Sequence, residues 1–194
     1  NNTLGNPKKA ERFVAAISSA VATNPDLQNC DAGSILSSAL LGESLNLSPS
    51  PQLGQYYLVP FGGKAQFILG YKGYLQLAIR SGYYKKINVV AIKEGELVNF
   101  NPLEEEIEVK LIEDEEQREN ANTIGYYAMF EYLNGFKKAM YWSKPKMEAH
   151  ALKYSKGYAA KKGYTFWEKG EQGFDDMAFK TMLRQLISKW GIMS

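Results

Sequence analysis

The sequence contains a single cysteine, a single histidine and no acidic residue between Ser44 and Lys93. With Cys30 alone, neither an intrachain disulfide nor a cysteine cage for a metal can form, which points to a reducing, cytosolic setting and a fold held by packing. A nucleophile activated by a base and an orienting acid would have to be built on His150, which sits among lysines on an expected helix and reads as a surface residue. "FGGKAQF" holds a Gly-Gly-Lys but lacks the GxxxxGK[ST] spacing whose amides and lysine cradle nucleotide phosphates, which argues against a nucleotide-driven motor. No apolar run reaches roughly 18 residues, and no charged-then-apolar leader is present, so neither a membrane span nor a signal peptide is expected. The stretch begins at Asn1 without a methionine and stops at Ser194 just after an amphipathic segment, and both ends are expected to be trimmed.

What is present is charge in blocks and an excess of tyrosine. The 194 residues suffice for one substantial core, and one domain is expected. The apolar fraction is an ordinary 45%, and the 13% aromatic content owes most to thirteen tyrosines, a hint of a binding face. Net charge is only +2, but Ser44 to Lys93 carries +6, Glu94 to Glu119 carries −9, and Asn120 to Ser194 carries +6. Two cationic blocks flank an anionic one.

Periodicity places helices at 8–23 and 32–45, the second capped by Asp31, and short strands at 56–61 and 65–71 joined by a cationic turn carrying Lys64. "KGYLQLAIRSG" reads as a helix over 72–81 with Lys72, Gln76 and Arg80 four apart on one polar stripe and the other faces buried. Strands are expected within 87–142, including two alternating runs around Asn134-Gly135. A two-residue loop there would set Glu131 opposite Lys138. Ser143 caps a helix over 144–155, with Pro145 in its first turn and Lys146, His150 and Lys153 on one face. In the helix at 174–190, Phe179, Met182, Leu183, Leu186 and Trp190 form the core stripe, flanked by Lys180 and Arg184. The fold class is therefore α+β, an antiparallel sheet (a meander with an Asn-Gly hairpin) packed with helices.

Two chemistries compete for these residues. Glu108, Val109 and Lys110, with Glu94 or Glu96 upstream, loosely match the carboxylate-x-lysine arrangement of metal-dependent nucleases, although alternating charge on a strand edge is the plainer explanation. "ILGYKGYLQLAIRSGYYKK" suits single-stranded nucleic acid better: cations track phosphates while rings stack on exposed bases. Tyr71, Tyr74, Tyr83 and Tyr84 interleave there with Lys72, Arg80, Lys85 and Lys86, some of the rings being reserved for the core. With Lys64, Gln66, Gln76 and Lys137, these cations and Tyr71 are the candidate contacts. A passive single-strand-coating module of oligonucleotide-binding barrel type is a further alternative, which the helices at both ends argue against.

"FILGYKGYLQLAIRSG" (67–82), "HALKYSKGY" (150–158), Trp167 and "FDDMAFKTMLRQLISKW" (174–190) resemble the signature regions of the RecT family of phage single-strand annealing recombinases, over roughly residues 10 to 194. The resemblance implies an α+β core like that of the Red beta recombinase of phage lambda. It also implies ATP-independent binding of single-stranded DNA, annealing of complementary strands to duplex, and a homo-oligomer forming rings or helical filaments. Carried over by position, the DNA contacts are Lys72, Arg80, Lys153, Tyr154, Lys156, Trp167, Lys180 and Arg184. No cofactor is required on this reading; Mg²⁺ serves at most as a DNA counterion. A phage exonuclease and a host single-strand-binding protein are the expected partners, met through a C-terminal region outside this chain, in the cytoplasm of a bacterial host and with no membrane. One strand is expected to lie in a cationic groove between the "GYKGY" junction and the 174–190 helix, with the anionic block meeting a neighbouring subunit.

Overall fold

The computed structural model describes residues 7–155, 158, 159, 167 and 170–192, the side chains of residues 171 and 172 excepted. The fold is α+β, mixed helix and antiparallel sheet. The chain forms two compact units that divide inside one helix, between Gln76 and Leu77.

The first unit opens with α1 (Pro7–Thr23), which buries Ala10, Phe13 and Ala20 on one stripe. A 3₁₀ turn at Pro25–Asn29 follows, and then α2 (Ala32–Ser44). Asp31 caps α2 as expected: its carboxylate accepts from the Ser34 amide at 3.0 Å, satisfying one of the four orphan donors of a helix start. Strands β1 (Tyr56–Phe61) and β2 (Lys64–Leu69) form an antiparallel hairpin. Its turn is Gly62–Gly63, with φ of +58° and +79°, the left-handed pair a two-residue turn demands. Helix α2 lies against this hairpin. Ser34 Oγ accepts from the Ala65 amide, Ser38 donates to the Ala65 carbonyl, and Gly42 leaves room for the Tyr56 ring.

Helix α3 (Tyr71–Ser81) bridges the division. Leu77 and Ala78 are buried, but Ile79 is 60% exposed, so burial of every face except the polar stripe does not hold. One turn of α3 leaves its Ile79 edge to solvent.

The second unit is built on a three-stranded sheet in the order β3 (Tyr84–Lys93), β6 (Thr123–Tyr132), β7 (Lys137–Ser143). Between β3 and β6 the chain makes a separate hairpin, β4 (Leu97–Asn101) and β5 (Glu106–Val109), and a short helix, α4 (Glu115–Asn120). Helices α5 (Lys144–Tyr154) and α6 (Gly170–Trp190) pack on one sheet face. Tyr126, Ala128 and Phe130 alternate along β6 toward these helices and meet Met147, Ala151, Phe174, Ala178, Met182 and Leu186. Tyr126 also donates to Asp175 Oδ1 at 2.6 Å, so a buried carboxylate ties α6 to β6.

Three expectations need correction. Asn134–Gly135 does not form a two-residue loop. The Gly135 amide donates to the Tyr132 carbonyl at 3.0 Å and Tyr132 N donates to Phe136 O at 2.7 Å, which makes a three-residue loop with Gly135 at φ +93°. Glu131 therefore pairs with Lys137, and Lys138 pairs with Phe130. A one-residue slip moves every β7 side chain to the other face, and Lys138 accordingly reaches the Trp190 ring, 4.3 Å from its centroid. Trp190 itself is 49% exposed rather than core, because Phe174, Ala178 and Ile187 fill the buried stripe earlier along α6. The acidic run, expected to be loop or solvated edge, contains α4. That helix is polar all round and is secured by its Asp114 cap and by Arg118, whose guanidinium binds the fully buried Glu96 at 2.9 Å.

Candidate nucleic-acid interface

In the first unit, the glycines of "GYKGY" have a steric cause. The Gly70 amide donates to the Gln55 carbonyl at 2.9 Å, and a Cβ on Gly70 or Gly73 would sit 2.2 Å from the Gly54 oxygen or 2.1 Å from the Gln55 oxygen. Only glycine lets the start of α3 press onto the 54–55 backbone in this way. That seating fixes Lys72, which is exposed, with its ammonium 6.0 Å from the Tyr71 centroid. Lys64 and Gln66 are exposed on β2, while Tyr71, Tyr74 and Gln76 are half-buried.

In the second unit, Arg80 is exposed near the end of α3, and Tyr83 is 57% exposed just beyond it. Tyr84 is a packing residue: its ring lies 5.5 Å from Phe130 and its hydroxyl donates to the Ile192 carbonyl at 2.6 Å. Lys86 and Lys137 both stand opposite Glu131 in the β3–β6–β7 register, on the sheet face turned away from α5 and α6, and Lys85 is ion-paired with the same carboxylate at 3.7 Å. Trp167 is buried at 6% exposure, 4.9 Å from Phe174, so its indole fills the core and offers no free face to a base. Lys156 lies outside the described residues.

The remaining predicted residues come together. Lys153 and Tyr154 end α5, and Lys180 and Arg184 lie one turn apart on α6. Between them sits His150, which sequence reasoning set aside as surface. It is half-buried, with Trp142 edge-on at 5.4 Å and Tyr154 at 4.6 Å. Burial first, and then the charges of Arg184 and Lys153, hold its imidazole below the usual histidine range. Lys146 adds a further cation 4.5 Å from the Trp142 centroid. Lys180 is half-buried, and burial together with the Arg184 charge pushes its amine down to about 8. Cations are here held near one another and near aromatic rings, against their own solvation and repulsion. His150 carried one legible signal, a helix face shared with Lys146 and Lys153, whereas Trp142, on β7, carried none, because only folding brings it to that face.

The competing carboxylates are arranged differently. Glu108 and Lys110 are exposed on and just after β5. Glu96 is spent on structure: it accepts from the amides of Lys93 and Ile112 and from Arg118. Burial alone would push its carboxyl up, but these donors outweigh it and hold the group below the ordinary carboxylate range. Among the described residues, no three acidic, histidine or cysteine side chains gather into a metal-holding group. Nor is any helix there long and apolar enough to cross a membrane.

Comparison with known proteins identifies the family. The family model described as "RecT family" matches residues 11–194. The chain belongs to the RecT family. It is 47% identical over 187 residues to the uncharacterized protein YqaK of Bacillus subtilis (strain 168), covering 96% of this chain and 61% of that protein. It is 30% identical over 188 residues to protein RecT of Escherichia coli (strain K12), covering 92% of this chain and 65% of that protein. This RecT-family chain thus spans a little under two thirds of the length of either relative.

Proposed function

We propose that this chain binds single-stranded DNA and anneals complementary strands in recombination, without ATP and as an oligomer. Family membership supports the reading, and one observation on the molecule carries it: Lys153 and Arg184 converge on the half-buried His150 ring, which Tyr154 adjoins, with Lys180 held beside Arg184 and Lys146 beside Trp142. Like charges so placed repel one another, and a run of phosphates relieves the repulsion. Contacts of this kind read backbone rather than base edges, so binding carries no sequence preference.

Annealing needs no chemical energy, since stacking yields about 1.4 kcal/mol per step on average. The protein lowers the barrier by neutralising phosphates so that two strands approach and sample register. Lys64, Lys72 and Arg80 are proposed as further phosphate contacts, each tested separately.

The test replaces Lys153, Lys180 and Arg184 together by alanine. Each lost phosphate contact flattens the slope of log affinity against log salt by about 0.7, hence about 2 for the three. Complementary labelled strands mixed with the native chain should pair faster, with strand length intact on a gel and with no nucleotide added. A folded triple variant with unchanged affinity and slope places the interface elsewhere. Pairing slowed by the native chain means a passive coat, and shortened strands mean a nuclease. Light scattering with a long oligonucleotide checks oligomer growth, which a persistent monomer refutes.

A further inference from the structure

The half-buried rings of this interface are ordered in a way that phosphate binding alone does not require. Trp142 on β7, His150 and Tyr154 on α5 form a continuous ladder, with centroids 5.4 Å and 4.6 Å apart. Its inner members are half-buried and its outer member is 66% exposed. The spacing of His150 and Tyr154 follows from positions four apart on α5, where successive turns stack side chains on one face. Trp142 reaches the same face because its even position on β7 points toward the helices. The ladder is bordered by cations at both ends: Lys146 lies 4.5 Å from the Trp142 centroid and Lys153 lies 5.2 Å from that of Tyr154. An exposed tyrosine abutted by a tilted imidazole, itself met edge-on by an indole, has fewer rotamers open to it before any ligand arrives, so a flat ligand stacks on it at lower entropic cost.

We propose that Tyr154, backed by His150 and Trp142, is the platform on which an unpaired nucleobase stacks, while Lys153 meets the adjoining phosphate. The proposal rests on the single-strand reading above and adds to it the subsite that reads bases as π-faces. It separates unpaired from paired DNA: within a duplex both faces of a base are already covered by its neighbours, and only an unstacked base can offer one to the ring. His150 and Trp142 act as positioning residues, because it is through the Tyr154 ring that they would touch the base.

The test compares a mixed-sequence oligonucleotide with an all-abasic oligonucleotide of the same length, at one salt concentration and across a salt series. The native chain should prefer the base-bearing strand. Tyr154→Ala should cut affinity for that strand at least about fivefold and leave affinity for the abasic strand and the salt slope unchanged. Tyr154→Phe should retain the preference, and His150→Phe should retain it too, since a ring still backs the platform. 2-Aminopurine placed in the strand should be quenched by the native chain and not by Tyr154→Ala. A folded Tyr154→Ala that keeps the preference and the quenching overturns the platform while leaving single-strand binding intact. A native chain that binds neither strand overturns the underlying reading and the platform with it.

Discussion

Lys180 offers the most quantitative handle on the interface. Its amine titrates at about 8 because it is half-buried and faces Arg184. In the free protein, about three quarters of the molecules then carry the charge at pH 7.5 and about one in eleven at pH 9. A bound phosphate favours the ammonium and lifts the group back toward its ordinary value near 10.5. Binding therefore requires the proton, and the sign is fixed: affinity falls as pH rises through 8. The ratio of protonated fractions predicts single strands bound about eightfold more weakly at pH 9 than at pH 7.5, at constant ionic strength, with uptake of about half a proton per subunit at pH 8. Anisotropy of a labelled oligonucleotide measures the first quantity, and calorimetry in two buffers of different ionisation heat measures the second. Lys180→Arg should bind with little pH dependence over this range, because a guanidinium keeps its charge throughout. Lys180→Met should bind at pH 7.5 more weakly than the native chain does at pH 9, because the native amine can still take up a proton on binding and methionine cannot. A native affinity that stays level across this range, or a Lys180→Arg variant that weakens in step with it, refutes the assignment of Lys180 to a phosphate.

Two further predictions concern the frame that holds the site. Arg118→Ala strands the buried Glu96 carboxylate and should cost about 3 kcal/mol at pH 7 by chemical denaturation. Because the folded value of Glu96 is depressed, its contribution is present above the ordinary carboxylate range and is lost as pH falls below that range through the depressed value, so the gap between variant and native chain should narrow in acid. A gap that widens in acid contradicts that account. Gly73→Ala drives a methyl to 2.1 Å from the Gln55 carbonyl oxygen and should destabilise the first unit by about 1–3 kcal/mol, read by hydrogen exchange of the β1–β2 hairpin amides. Exchange unchanged from the native chain would mean that α3 does not seat on the 54–55 backbone.

Elements with a strong local signature were legible in the sequence. Asp31 and Ser143 announce helix starts through side-chain oxygens that accept from an amide three residues on, and both do so. Polar α4 gave no such stripe, since a helix that presents polar side chains on every face depends on partners distant in sequence, here Glu96 for Arg118. Asn134-Gly135 correctly announced a hairpin, but the same dipeptide serves loops of two or three residues, and the alternation read in the second run is too loose, with Lys137-Lys138 adjacent, to choose between them. The bond from Gly135 N to Tyr132 O chooses, and with it the face of every residue on β7.

That choice bears directly on the site. In the expected register, Lys138 would share a sheet face with Glu131, and every β7 ring would change sides. In the observed register, Trp142 faces the helices and can stand edge-on to His150, whereas Lys137 is opposite Glu131 and, like Lys86, on the other face. Charge can be summed along a sequence without knowing the fold, which is why the cationic blocks were visible at once. Which cations act together depends on register and on how α5 and α6 pack, and the adjacent Lys137 and Lys138 point to opposite faces of one sheet. A base-stacking ladder is further removed still from composition, because its rings come from a strand and a helix whose meeting is decided by the position of one glycine in a three-residue loop.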